Sequence, residues 1–221
     1  MSQPDPAPPQ DAGRHPTAGP GRPKDLAKRT AILAAAKLLF TREGFAGVSM
    51  DRIAAEAGVS KLTVYSHFGD KETLFYEAIR ERCQELLPDS LFADQGQGPL
   101  RERLLHIARA FFDLASSDEA VQTHRLMMAP GHADAALRRV FWEAGPQRTS
   151  EFFGTLLQGR MASGELDIAD VHTASQQFFT LLKGEIYSMR MCGLCEQLTP
   201  ADAHRHIEAS VDMFLRAYGR R

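Results

Sequence analysis

An all-α fold is what this sequence predicts: a small three-helix head followed by a larger helical body. Two observations carry the prediction. From residue 25 onward, apolar residues recur at the three-and-four spacing of a helix, and no stretch alternates as a strand would. Gly, Pro and Asp stand at the junctions between these periodic stretches, where helices start and stop.

Residues 1–24 read as a disordered arm. Pro4, Pro6, Pro8, Pro9, Pro16 and Pro20 stand among few apolar side chains, too few to offset the entropy of ordering. The first helix opens at Asp25, carries Ile32, Ala36, Leu39 and Phe40 on one face, and is expected to close at Gly44. Ser49 caps a short helix over 50–57 that Gly58 stops, and a second short helix follows from Ser60 or Lys61 to Phe68. Asp70 then caps a longer helix over 71–87, which Pro88 closes. Further helices are expected at 99–116, 118–129, 133–162, 170–191 and 200–218, with Pro146 kinking or splitting the third of these. The domain reading is therefore an arm at 1–24, a head at 25–70 and a body at 71–221.

Composition bounds the function. With 43% hydrophobic and 24% charged residues the chain reads as globular, and no apolar run approaches the ~18 residues of a membrane helix. No secretory leader is recognised, and three cysteines do not make a disulfide framework, so a cytoplasmic address without membrane association is expected. Net charge is −2, yet residues 14–71 hold ten Lys/Arg against five acids, leaving −7 on the remainder. A basic head on an acidic body suits a partner such as nucleic acid.

The stretch from Ser49 to Lys71, SMDRIAAEAGVSKLTVYSHFGDK, carries the functional signal. A helix-turn-helix needs two short helices crossing steeply through a turn of three or four residues. Ala54 is small enough for close approach, Gly58 suits the turn, and Ile53, Ala57, Val59, Val64 and Phe68 supply a shared core. Lys61, Leu62, Thr63, Tyr65, Ser66 and His67 then form the outer face of the second helix, a set of donors and small apolar groups fit for a major groove.

At these residues the chain resembles the TetR/AcrR family of one-component regulators. The resemblance rests on Ser49, Ile53-Ala54, Ala57-Gly58-Val59-Ser60, Thr63 to Phe68, Lys71 and Leu74, and covers roughly residues 25–80. A second resemblance, to the C-terminal domain of an AefR-like branch, rests on Phe141 to Pro146 and on Gly164-Glu165-Leu166. Leu62 departs from the Gly that many members carry, so base preference does not transfer. The resemblance implies that Ser49, Tyr65, His67 and Lys71 hold the phosphate backbone of double-stranded DNA while Lys61, Leu62 and Thr63 face base edges. Hydroxyls and an ammonium at helix ends suit phosphate oxygens, which agrees. Gly21-Arg22-Pro23-Lys24 is a candidate arm for a minor groove, with Arg22 and Lys24 as its cations.

The resemblance also implies an Ω-shaped homodimer on a palindromic operator, and release of DNA when a small lipophilic or aromatic effector enters the body. Phe111, Arg125, Met128, Trp142 and Phe178 are the candidate effector contacts. Phe178, Leu181, Leu182, Val211, Phe214 and Leu215 on the last two helices are the candidate dimer interface. The helix over 71–87 is the covalent link from head to body, with Glu77 in its exposed middle.

Other chemistries find less support. Cys192-Gly-Leu-Cys195 has redox or metal spacing with His204 and His206 downstream, but two residues apart on a helix those histidines face different ways. A redox-responsive regulator using this pair, or a protein-interaction module without DNA binding, are the alternatives. No phosphate loop, metalloprotease motif or nucleophile elbow occurs, so no catalytic residue, metal or cofactor is expected and the chain is not read as an enzyme.

Overall fold

The computed structural model describes residues 25–93, 98–195 and 199–220; the arm, with Arg22 and Lys24, lies outside them. The head comprises α1 (Leu26–Gly47), α2 (Met50–Glu56) and α3 (Lys61–Phe68), and α4 (Lys71–Leu86) leads into the body. There follow α5 (Leu100–Ala115), α6 (Asp118–Met128), α7 (Ala135–Trp142), α8 (Arg148–Ala162), α9 (Val171–Met191) and α10 (Pro200–Tyr218). Among the described residues no strand forms; Leu166 and Gly219 make one isolated antiparallel bridge.

Helix starts follow their caps. The side chains of Ser49, Ser60 and Asp70 accept hydrogen bonds from the N–H groups of Arg52, Thr63 and Thr73, satisfying donors that the first turn leaves open. Gly44 ends the regular course of α1, as the sequence predicts, although a short tail follows. It takes φ +72° and the chain turns there, but Phe45 to Gly47 continue as a short tail, closed by the Val48 N–H donating to the Phe45 carbonyl. Pro146 interrupts, without ending, the helix expected to kink or split over 133–162. It sits in a π-turn, Glu143–Gln147, between α7 and α8, as expected where a proline removes a helical donor.

Two apolar clusters organise the molecule. One joins Ile32, Leu39 and Phe40 of α1, Ile53 of α2, Val64 and Phe68 of α3 and Leu74 and Phe75 of α4 with Met127, Ala133 and Leu137. The head core therefore draws on the α6–α7 region, which a division at residue 70 does not anticipate. Ion pairs add to the α1–α4 contact: Arg29 reaches Glu77 at 2.6 Å and Lys37 reaches Glu81 at 3.0 Å. Glu77 is thus not on an open face; its side chain keeps 20% of its surface and also accepts from Arg80.

The second cluster fills the body, with Phe153 stacked on Phe178 at 4.5 Å and Phe214 edge-on to Phe178 at 5.0 Å. This corrects most of the expected dimer interface. Phe178, Leu182, Val211 and Phe214 keep 0–1% of their surface within one protomer, so they offer nothing to a partner. Leu181 and Leu215 are half-buried and retain an outer face, and Met213 on α10 is 56% exposed.

α9 is broken in its middle. Gly184 takes φ +52°, ψ −161°, and the imidazole of His206 on α10 occupies the gap, its Nε2–H donating to the Leu182 carbonyl at 2.9 Å. A side chain inserted into the helical ladder is a recognised cause of a kink.

Candidate nucleic-acid interface and effector cavity

α2 and α3 meet through a tight turn. Gly58 has φ +65°, and the N–H groups of Gly58 and Val59 return to the Ala55 and Ala54 carbonyls. The turn needs the left-handed region that glycine enters without strain. Val64 and Phe68 go inward, so α3 presents its opposite side: Leu62 is 79% exposed, Tyr65 41%, and Lys61 is open to solvent.

The structure brings the predicted base-facing residues together on this one helix. Lys61 is held by Asp51 of α2 at 2.9 Å and lies 6.0 Å from the Tyr65 ring centroid. Thr63 is half-buried, its hydroxyl paired with that of Ser60 at 2.8 Å. Ser49 accepts from the Arg52 N–H, and its hydroxyl proton stays available to an acceptor. His67 is half-buried beside Phe68. Lys71 is tied inward: its ammonium donates to the Phe45 and Val48 carbonyls, both at 2.9 Å, and lies 4.1 Å over the Phe45 ring. Two of its three donors are thereby taken by the protein's own backbone.

A cavity of about 1110 Å³ lies between head and body. Lys37, Leu38 and Thr41 of α1 form one wall, Phe75, Ile79 and Cys83 of α4 a second, and the remainder comes from α5 to α9. Phe111 and Trp142 line it as predicted. Three predicted contacts do not. Phe178 is consumed by the aromatic core, while the adjacent Phe179 faces the cavity. Met128 is 69% exposed elsewhere. Arg125 donates to the Arg190 and Met191 carbonyls at the end of α9, clamping α6 to α9. The sequence reading missed the α1 wall and Lys183, although a lysine directly after the run Phe178-Phe179-Thr180-Leu181-Leu182 is a signal for a cation at an apolar site.

Burial sets the chemistry of the wall. His124 donates from Nδ1 to the Ala120 carbonyl at 2.8 Å, and desolvation holds it below the usual imidazole range, favouring the neutral ring. Its ring meets Phe141 edge-on at 4.9 Å. Burial likewise lowers Lys183 and pushes the Cys83 thiol up to about 11, which disfavours its thiolate. Cys192 and Cys195 follow α9 without a disulfide, and among the described residues no cluster of three metal-ligating side chains forms.

Residues 102–220 match the family model described as AefR-like transcriptional repressor, C-terminal domain, and residues 32–78 match that of bacterial regulatory proteins, tetR family. The chain belongs to the TetR family. It is a helix-turn-helix transcriptional regulator, not an enzyme.

The HTH-type transcriptional activator FasR of Mycolicibacterium smegmatis is 33% identical over 100 residues, 45% of each chain. The regulator SrpR of Pseudomonas putida is 25% identical over 160 residues, 72% of this chain and 73% of that one. The first curated relatives are matched over less than half of their own length. Solved structures align more fully. A TetR-family regulator from Mesorhizobium loti superposes with a TM-score of 0.75 at 28% identity, covering 90% of this chain and all of that one. The flavonoid-responsive regulator FrrA gives 0.71 at 32% identity, covering 89% and 100%. Among the described residues no helix of this TetR-family chain is long and apolar enough to cross a membrane.

Proposed function

We propose that this regulator is a homodimeric repressor that holds a palindromic operator and releases it when a small aromatic or lipophilic effector fills the cavity. One observation carries the reading: a single cavity is walled by α1 of the head, by the connecting α4 and by the body helices. A ligand there touches α1 of the head directly and biases the position of the head relative to the body. An effector that favours one arrangement of heads shifts the population away from the DNA-binding one.

On the DNA, Lys61, Leu62 and Thr63 face base edges, while Ser49, Tyr65, His67 and the third donor of Lys71 hold phosphates. Lys61 must leave Asp51 to reach a base. Two heads about 34 Å apart, one turn of DNA, engage successive half-sites. The half-buried Leu181 and Leu215, with Met213, form the apolar part of the dimer face on α9 and α10. Repression is supported by the name of the matched C-terminal domain, and an aromatic effector by the flavonoid-responsive relative and by Phe111, Phe141, Trp142 and Phe179 in the wall.

The test uses Trp142, the single tryptophan, which lines the cavity. Aromatic compounds that quench it are titrated against the protein with and without saturating operator, selected from random DNA by the purified protein. Operator must weaken such a compound by the same factor as the compound weakens operator. Equal affinities with and without DNA refute the switch.

A further inference from the structure

Lys183 stands apart from the other cations of the cavity wall. Lys37 is paired with Glu81 and Glu85, and Arg82 with Glu85 and Glu119. Arg42 lies exposed at the rim. Among the described residues Lys183 has no carboxylate partner; its ammonium lies 5.1 Å from the Tyr187 ring centroid, and the chain breaks its helical course at the next residue, Gly184. Of the wall's acids, Glu119 is bound to Arg82, and Glu151 is exposed on α8 and accepts from Gln147.

We propose that Lys183 is the anion-recognising group of the cavity, and that the effector is an aromatic monoacid whose carboxylate, sulfonate or phenolate oxygen pairs with its ammonium. This rests on the reading of the cavity as the effector site. A half-buried ammonium without a counter-charge carries a desolvation cost, and an incoming anion offsets that cost while gaining charge-assisted hydrogen bonds. Desolvation is the cause of the lowered Lys183 pKa, in keeping with the absence of an acidic neighbour. His124, kept neutral by burial, does not compete as a second cation. The ring-bearing part of the ligand has Phe111, Phe141, Trp142 and Phe179 to pack on.

Two dyes with one ring system test this: anilinonaphthalene sulfonate and the uncharged phenylnaphthylamine. Each is titrated into the full chain, and energy transfer from Trp142 reports occupancy of the cavity. The wild type should bind the sulfonate at least about tenfold more tightly than the neutral dye, as expected for a hydrogen bond between charged groups. Lys183→Met should abolish that preference by weakening the sulfonate alone, and Lys183→Arg should keep it. Transfer with both dyes but equal sulfonate affinity in wild type and Lys183→Met overturns this inference and leaves the cavity reading standing. No transfer from Trp142 with either dye overturns the cavity reading, and this inference with it. Should Lys183→Met not fold, a sulfonate preference unaltered in Lys183→Gln overturns the proposal equally, and its loss there supports it.

Discussion

Gly184→Ala probes the break in α9. At φ +52°, ψ −161° the backbone sits near a region that only glycine occupies readily, and forcing alanine into it costs about 1–3 kcal/mol. A Cβ built there would lie 2.7 Å from Cε1 and 3.1 Å from Nε2 of His206, so the imidazole must also withdraw. Withdrawal leaves the Leu182 carbonyl without its donor, a further cost of about 1–3 kcal/mol for a partly buried group. The total, about 2–6 kcal/mol, reaches only the lower end of the stability of most domains, about 5–15 kcal/mol, so the variant should fold but unfold at lower urea. The assay is urea unfolding at fixed protomer concentration, followed by helical circular dichroism and by Trp142 fluorescence. On a His206→Ala background the steric part is gone, and the same substitution should cost only the backbone strain, a coupling of about 1 kcal/mol or more. A cost below about 1 kcal/mol in the wild-type background, or additivity of the two changes, refutes an inserted imidazole as the cause of the break.

Thr63→Ala should weaken operator binding by about 1–3 kcal/mol in a footprinting titration while circular dichroism is unchanged; Lys61→Ala should do so several-fold, and an unaltered footprint would mean α3 does not read the groove. Asp51→Asn removes the carboxylate that competes for Lys61, so affinity for operator should rise; a fall would identify the pair as a positioning contact. Lys71→Ala should destabilise the head by about 1–3 kcal/mol through the abandoned Phe45 and Val48 carbonyls. It should also reduce the slope of log affinity against log salt by about one, whereas a slope equal to wild type removes Lys71 from the phosphate contacts. Leu181→Glu combined with Leu215→Lys should give a folded monomer in sedimentation with greatly reduced operator binding, and a persistent dimer would move the interface elsewhere.

Local rules were enough for the two short helices of the head. Ser49, Ser60, Asp70 and Gly58 do what caps and a turn glycine do in any chain, so both short helices and the outer face of α3 were legible from residue types alone. Gly44 marks where local reading ends: its backbone does turn, but the tail beyond it is held by Lys71, twenty-seven residues away in sequence, which no helical period encodes. The body suffered from a different ambiguity. Periodicity shows that Phe178, Phe179, Leu181 and Leu182 are apolar on a helix, but not which of core, cavity and partner each one faces. Phe178 went to the core, Phe179 to the cavity, and only Leu181 kept an outer side. Arg125 was read as a ligand contact because a polar group amid apolar neighbours is conspicuous, yet the open carbonyls ending α9 claimed it.

The sharing of the head core with Met127, Ala133 and Leu137 bears on how such regulators can be recombined. A fragment cut at Asp70 would lose Leu74, Phe75 and Ala78 together with those three residues, stripping the wall against which Ile32, Leu39 and Phe40 pack. It would be an incomplete body with an exposed apolar flank, not a portable reader. Grafting this head onto a foreign sensor therefore requires transplanting the contact surface of α6 and α7 as well, or redesigning it to match. A recombination joint within α4 alone would sever a continuous core.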